Sequence, residues 1–295
     1  MGEKYRAMYK WRKLYKDTYV IRDNGGGVGS VYMYLLIGAE KALLIDSGYG
    51  MSDLREITQV ITDKEVICVC THGHIDHALG ACQFEKAYLH SQDNEVYQRH
   101  TDPDGVRKMC YTGFFYPLRD KIAQDTTFRA NVEKVAATEH RLLAPLEECK
   151  EFELGDRLVT WRRMPGHTQG STVFIDEKYK TVFEGDSAGI GLWLFLEESS
   201  PLPQFLSEAG EYLQYLESKQ IKRRYIGHMS LPLRTADLRR LIRCCRYAFE
   251  NPQKGKVYRT VFGETRQVAK YGTEAYFATA KNCNPERSET EGSWH

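Results

Sequence analysis

Apolar residues along this chain come in short runs broken by glycine and polar clusters, a spacing that predicts many brief strands and a few helices. Thr18 to Arg22, Ser30 to Ile37 and Lys41 to Asp46 read as three strands, with Gly25, Gly26, Gly27, Gly29 and Gly38 at the turns, which makes an antiparallel meander. No Gly-Lys-Ser/Thr follows the glycine cluster and a strand comes next, so it reads as a hairpin turn and not a phosphate loop. Ser52 is placed to cap a helix in which Leu54, Ile57, Val60 and Ile61 recur at helical spacing, and Val66 to Thr71 is an apolar strand suited to the inside of a layered sheet. From about 91 to 150 the pattern is polar, aromatic and helical, with Asp102 to Gly105 as a turn, and reads as an insertion over the core. Strands resume at Leu158 to Met164, Thr172 to Asp176 and Thr181 to Glu184. Amphipathic helices over Phe205 to Ser218 and Thr235 to Glu250 then flank the short strand Arg224 to Ile226. This mixture predicts an α/β sandwich, with residues 1–283 as one domain and the polar stretch 284–295 as a disordered tail.

Charge narrows the partners. Lys plus Arg (41) nearly equals Asp plus Glu (40) over 295 residues, so no overall field favours nucleic acid or an anionic membrane. Apolar runs fall far short of the roughly 20 residues that cross a bilayer. Met1 to Lys13 has no apolar segment or cleavage site behind it, and a cytoplasmic location is expected. Eight cysteines form no Cys-x-x-Cys pair, and Cys68 and Cys70 read as core residues. Two basic clusters, Arg239/Arg240/Arg243/Arg246 and Lys219/Lys222/Arg223/Arg224, read as solvated faces, with phosphate binding as the alternative.

The chemistry is concentrated in Thr71-His72-Gly73-His74-Ile75-Asp76-His77, directly after the apolar strand. In extended backbone His72 and His74 point the same way and can share a metal, whereas the adjacent Asp76 and His77 must diverge and would serve a second one. Crowding such bases together is costly unless a cation organises them. His167, Asp186 and His228 each follow a strand-like segment, and loops at the ends of several strands can converge on one edge of a sandwich.

With His72 to His77 followed in order by His167, Asp186 and His228, the sequence resembles the metallo-β-lactamase superfamily over about residues 17–250, through its His-x-His-x-Asp-His signature. The resemblance implies a four-layer αββα sandwich with a helical insertion. It also implies that His72, His74 and His167 bind a first metal, that Asp76, His77 and His228 bind a second, that Asp186 bridges them, and that Asp46 in Leu44-Ile45-Asp46-Ser47-Gly48 supports the site from behind the ligands. Nitrogen and carboxylate donors without thiolate suit two Zn2+ ions, with Fe or Mn as alternatives. Such a pair can hold a bridging hydroxide that attacks the substrate, with Asp76 orienting it and passing its proton to the leaving group.

The expected substrate is a small ester, lactone or thioester, with a small phosphodiester as the alternative. A carboxylate at 186 argues against a true β-lactamase, and the absent nuclease insert and balanced charge argue against nucleic acid. His74 stands where diiron oxygen reductases place a carboxylate, and only 67 residues follow His228, too few for a flavin-binding domain. An iron-dependent sulfur dioxygenase is disfavoured by the complete second ligand set, and a non-catalytic binding module by the retention of all seven ligand positions. Phe115 in the insertion and Trp193 and Phe195 after Asp186 are read as an apolar lid over the substrate, or else as internal packing or a homodimer contact.

Overall fold

In the computed structural model, which describes residues 9–25, 29–112, 125–189, 191–251, 256–260, 263–271 and 274–278, two sheets face each other. The first runs in chain order: β1 (Tyr9–Tyr15), β2 (Thr18–Asp23), β3 (Val31–Ile37), β4 (Lys41–Ile45), β5 (Glu65–Val69), β6 (Ala87–Leu89) and β7 (Ala144–Pro145). Pairing is antiparallel through β4 and parallel from β4 to β7. The second has β8 (Glu151–Glu153), β9 (Leu158–Arg163), β10 (Thr172–Asp176), β11 (Thr181–Phe183), β12 (Arg223–Ile226) and β13 (Met229–Leu233), also in chain order.

Period-two alternation sorts the side chains into layers. Tyr34, Leu36, Leu43, Ile45, Ile67 and Val69 face inward and meet Val159, Phe174, Phe183 and Tyr225 of the second sheet. Their neighbours Met33, Leu35, Leu44 and Cys68 face outward onto Leu54 and Ile57 of α1 (Leu54–Ile61). On the far side Val173, Ile175 and Val182 pack under α6 (Leu202–Ser218) and α7 (Thr235–Glu250), through Phe205, Tyr212, Leu238 and Leu241. Both faces of each sheet are therefore buried, and the layers are helix, sheet, sheet, helix. No helix among the described residues is long and apolar enough to cross a membrane.

Between β6 and β7 the chain leaves the first sheet and makes α3 (Asn94–Thr101), α4 (Pro103–Thr112) and α5 (Thr126–Ala136) before returning. Val106, Cys110, Phe128 and Val132 pack with Ile75 and Leu79 of the His72 to His77 segment's continuation, in which α2 spans Ile75–Ala78. Phe115 and the tail 284–295 lie outside the described residues.

Several local expectations shift. Asp53, not Ser52, caps α1, because its carboxylate accepts from the Glu56 N–H at 2.8 Å. Asp102 to Gly105 is a helix start rather than a separate turn, with Asp102 Oδ1 accepting from the N–H groups of Asp104 (3.0 Å) and Gly105 (3.2 Å). Strand β1 is an edge whose Lys10 to Lys13 are exposed, so it carries no apolar alternation to read. After α7 come β14 (Lys256–Thr260), β15 (Gly263–Tyr271) and β16 (Glu274–Ala278), an antiparallel sheet absent from the sequence reading.

Part of each basic cluster is taken up in ion pairs. Arg224 is fully buried and donates through Nε and Nη2 to the two oxygens of Glu184 at 2.8 Å each, so it belongs to the interior and not to a solvated or phosphate-binding face. Tyr212 donates to the same carboxylate at 2.6 Å. This network anchors the turn that leads from Glu184 to Asp186. Arg239 pairs with Glu217 at 2.6 Å and Lys219 with Glu177 at 3.0 Å.

Candidate metal centre

The C-terminal ends of strands from both sheets meet along one edge of the sandwich. Residues 72–77 follow β5, His167 follows β9, Asp186 follows β11, and His228 follows β12. A bond from the Thr172 N–H to the Thr71 carbonyl (2.8 Å) fastens the sheets together beside this edge.

All seven expected ligands converge there. Nδ1 of His74 lies 3.0 Å from Nε2 of both His72 and His167, forming a three-nitrogen nest. Beside it, Asp76, His77 and His228 form a second nest, with Asp76 Oδ2 3.6 Å from His77 Nε2 and 3.4 Å from His228 Nε2. Asp186 spans the two. Its Oδ1 is 3.6 Å from His77 Nε2, while its Oδ2 is 3.1 Å from His228 Nε2 and 3.7 Å from His167 Nε2.

The proton positions of the five imidazoles follow from their outer partners. A neutral ring carries one N–H, and the nitrogen facing an oxygen acceptor is the one that holds it. His74 Nε2 donates to Glu198 Oε1 (2.6 Å), His167 Nδ1 to the Trp193 carbonyl (3.0 Å) and His228 Nδ1 to the Ser30 carbonyl (2.9 Å). His77 Nδ1 donates to Asp46 Oδ2 (2.8 Å), and His72 Nδ1 to Thr71 Oγ1 (3.1 Å), whose hydroxyl donates in turn to Asp46 Oδ2 (3.0 Å). Asp46 thus orients two rings at once. It holds a left-handed backbone (φ +64°) at the end of β4, and its Oδ1 also accepts the Thr71 N–H at 2.7 Å.

Every ring therefore turns its second nitrogen inward, those of the first trio toward one another and those of His77 and His228 toward the carboxylates of Asp76 and Asp186. His77 Nε2 is buried with no hydrogen-bond partner among the described residues. Lone pairs packed this closely repel, and a buried acceptor left unmade costs about 1–3 kcal/mol, so the donor set fits a cation in each nest.

Electrostatics separates the nests. Burial, then the neighbouring rings, pulls His72 well below the usual imidazole range, and burial and His74 pull His167 down to about 4, which keeps these two rings neutral. In the second nest burial opposes charge, yet Asp76, Asp46 and Asp186 together lift His77 to about 9. Burial likewise opposes ionisation of Asp186, yet His228 and His77 hold it well below the usual carboxylate range.

Two features outside the expected set hold the loops in place. Buried Asp93 accepts from the Gly73 N–H (2.8 Å), the Gly170 N–H (2.6 Å) and the Thr168 hydroxyl (2.7 Å), clipping the His72/His74 loop to the His167 loop. Asp93→Ala leaves the buried N–H groups of Gly73 and Gly170 unmade, at about 1–3 kcal/mol each, and takes from Thr168 its bond to a charged acceptor. Equilibrium urea unfolding of the variant should show a loss of about 3 kcal/mol or more, and a midpoint unchanged from the parent would remove the clip from the account. Gly227, next to His228, is the second feature. A Cβ there would meet the His77 ring and lie 2.8 Å from Asp186 Oδ1. Gly227→Ala should therefore weaken metal binding far more than it lowers the melting temperature, measured by chelator competition alongside thermal unfolding.

The expected substrate contacts fare differently. Trp193 is half-buried and touches the site through its carbonyl, and its ring lies 4.9 Å from that of Phe195. Phe195 is only 8% exposed, so it packs inside the protein and offers little surface to a substrate. The sequence reading also missed His100, which accepts the Ile75 N–H at 3.1 Å and stacks on His74, and Glu198, which bonds Arg99 Nη2 at 2.7 Å as well as His74. None of these carries a local motif; only the acidic pair Glu197-Glu198 is visible in the chain, and it reads as ordinary loop.

Residues 26–228 match the family model described as Metallo-beta-lactamase superfamily. Acyl-coenzyme A thioesterase MBLAC2 of Homo sapiens is 24% identical over 210 residues, covering 67% of this chain and 72% of that protein. The Gallus gallus protein of the same name is 24% identical over 208 residues, covering 68% and 72%. Among solved structures, DIM-1 metallo-beta-lactamase aligns with a TM-score of 0.55 at 17% identity, over 81% of this chain and 98% of its own. A metallo-beta-lactamase from Pontibacter korlensis aligns with a TM-score of 0.55 at 14% identity, over 81% and 99%. At these identities the structural likeness concerns the fold.

Proposed function

The chain is a hydrolase that belongs to the metallo-beta-lactamase superfamily, and we propose that it cleaves a small carbonyl ester, with a thioester as the first candidate, using two metal ions held by the seven converging side chains. The observation that carries this reading is the orientation of all five imidazoles, each with one nitrogen bonded to an outer oxygen and the other turned toward a shared centre. The choice of a thioester rests on the similarity to proteins named acyl-coenzyme A thioesterases.

In this reading His72, His74 and His167 would hold one ion and Asp76, His77 and His228 the other, with Asp186 facing both nests. Zinc suits the nitrogen and carboxylate donors. When bound, such a pair lowers the pKa of water toward neutrality and polarises a carbonyl oxygen. The protein's own part is positioning and proton handling. Asp46 and Thr71 fix the two rings behind the site, the buried Asp93 clip keeps the His167 loop in register with residues 72–74, and the Glu184–Arg224 pair braces the turn to Asp186. Asp76 takes the proton of the attacking water and delivers it to the leaving sulfur or oxygen as the acyl bond breaks. The trio on the first ion is buried, whereas the His228 side chain is 43% exposed, so substrate approaches from the His228 side.

Purified, metal-loaded protein assayed against acyl thioesters, lactones, aryl esters, β-lactams and bis-aryl phosphodiesters tests the bond type. Chelator-sensitive turnover of thioesters above the other classes is expected. Selective turnover of a phosphodiester or β-lactam, with thioesters untouched, would overturn the choice.

A further inference from the structure

His74 differs from the other four rings. It presents Nδ1 to the centre, where His72, His77, His167 and His228 present Nε2. A ring that must expose Nδ1 has to carry its proton on Nε2, and the group that accepts this proton decides the matter. That group is Glu198, at 2.6 Å, on the loop between Asp186 and α6 and 124 positions away in sequence. Glu198 is only 11% exposed at its side chain, and its second oxygen is bound by Arg99 Nη2 of α3 at 2.7 Å.

We propose that Glu198, held by Arg99, is a positioning residue that selects the Nδ1-donating form of His74 and so sets the affinity of the first metal position. An ionised carboxylate accepts and cannot donate, so it permits one tautomer of the ring and excludes the other. It also raises the electron density of the imidazole, as carboxylates behind metal-bound histidines do. Arg99 locks the carboxylate's direction, leaving one oxygen for the ring. The pair ties α3 to the 191–199 loop, and the same α3 segment supplies His100 against the other side of the His74 ring. The ring is thus gripped by a hydrogen bond at its edge and a stacked neighbour on its face.

The inference rests on the metal reading above, and its test separates the two. Cobalt(II) titration, followed by visible absorption and chelator competition, is run in a His228→Ala background that reports the first position and a His167→Ala background that reports the second. Glu198→Ala should weaken the first position by about 10–100-fold and leave the second within about twofold. Glu198→Gln, whose amide oxygen can still accept from Nε2, should recover part of the loss, and Arg99→Ala should weaken the first position less than Glu198→Ala. Glu197→Ala, which removes only the 3.3 Å pair to Arg99 Nη1 at an 85% exposed side chain, should weaken the first position less than Arg99→Ala does. Should Glu198→Ala not fold, Glu198→Gln and Arg99→Ala carry the comparison. Unchanged cobalt affinity at the first position, or equal losses at both, overturns the role given to Glu198. A parent chain that takes up no cobalt overturns the metal reading itself.

Discussion

Asp186→Ala should abolish measurable hydrolysis and lower the metal content from two ions per chain to one or fewer. Asp186 is the side chain that touches both nests, with Oδ1 toward His77 and Oδ2 toward His228 and His167. Removing it takes away the one carboxylate that faces both nests and, on the proposed two-metal reading, the negative charge that would balance the cations. Losing a contact behind a metal ligand costs about 10–100-fold in affinity or activity, so losing the shared ligand should exceed that range. The fold should survive, because the turn before Asp186 is braced independently by Glu184, Arg224 and Tyr212. Steady-state assays with metal analysis and circular dichroism check all three statements. A folded variant with turnover within tenfold of the parent would refute the bridging role.

Asp76→Asn is the second large effect, and it separates ligation from proton transfer. Asparagine keeps the shape and one acceptor oxygen, so α2 and the buried neighbours of Asp76 should be undisturbed. It cannot carry the proton from water to the leaving group. General acid–base catalysis contributes about 10²–10⁴-fold, and kcat should fall by that amount. The size of the fall should depend on the leaving group, being smallest for an activated aryl thiol that departs as a thiolate unaided and largest for an alkyl alcohol. An equal fall for every leaving group, with one metal lost, would reduce Asp76 to a ligand alone.

What could be read from the chain alone was local or periodic. Three histidines and an aspartate within residues 72–77 announce a metal site because their spacing is short and their neighbouring strand apolar. Strands such as Val31–Ile37 and helices such as Thr235–Glu250 showed in their hydrophobic period. His167, Asp186 and His228 gained meaning as a set that follows three strand ends. The parts that hold the site together have no such signature. Asp93 reaches Gly73 across 20 positions and Gly170 across 77, and Glu198 reaches His74 across 124. These contacts exist only once the sheets are stacked, and nothing in the flanking residues marks them. Arg224 was misread for a related reason. Its basic neighbours suggest a surface, yet its partner Glu184 lies 40 positions away, just past the end of the adjoining strand. Strand β1 was hidden by its exposed edge.

Metal content measured by mass spectrometry after zinc loading and gel filtration, with turnover followed on the same samples during stepwise chelation, tests the central claim most directly. Two ions per chain, with activity lost as they are withdrawn and regained on re-addition, is the predicted result. A chain that retains no metal yet hydrolyses substrate undiminished in excess chelator would contradict it.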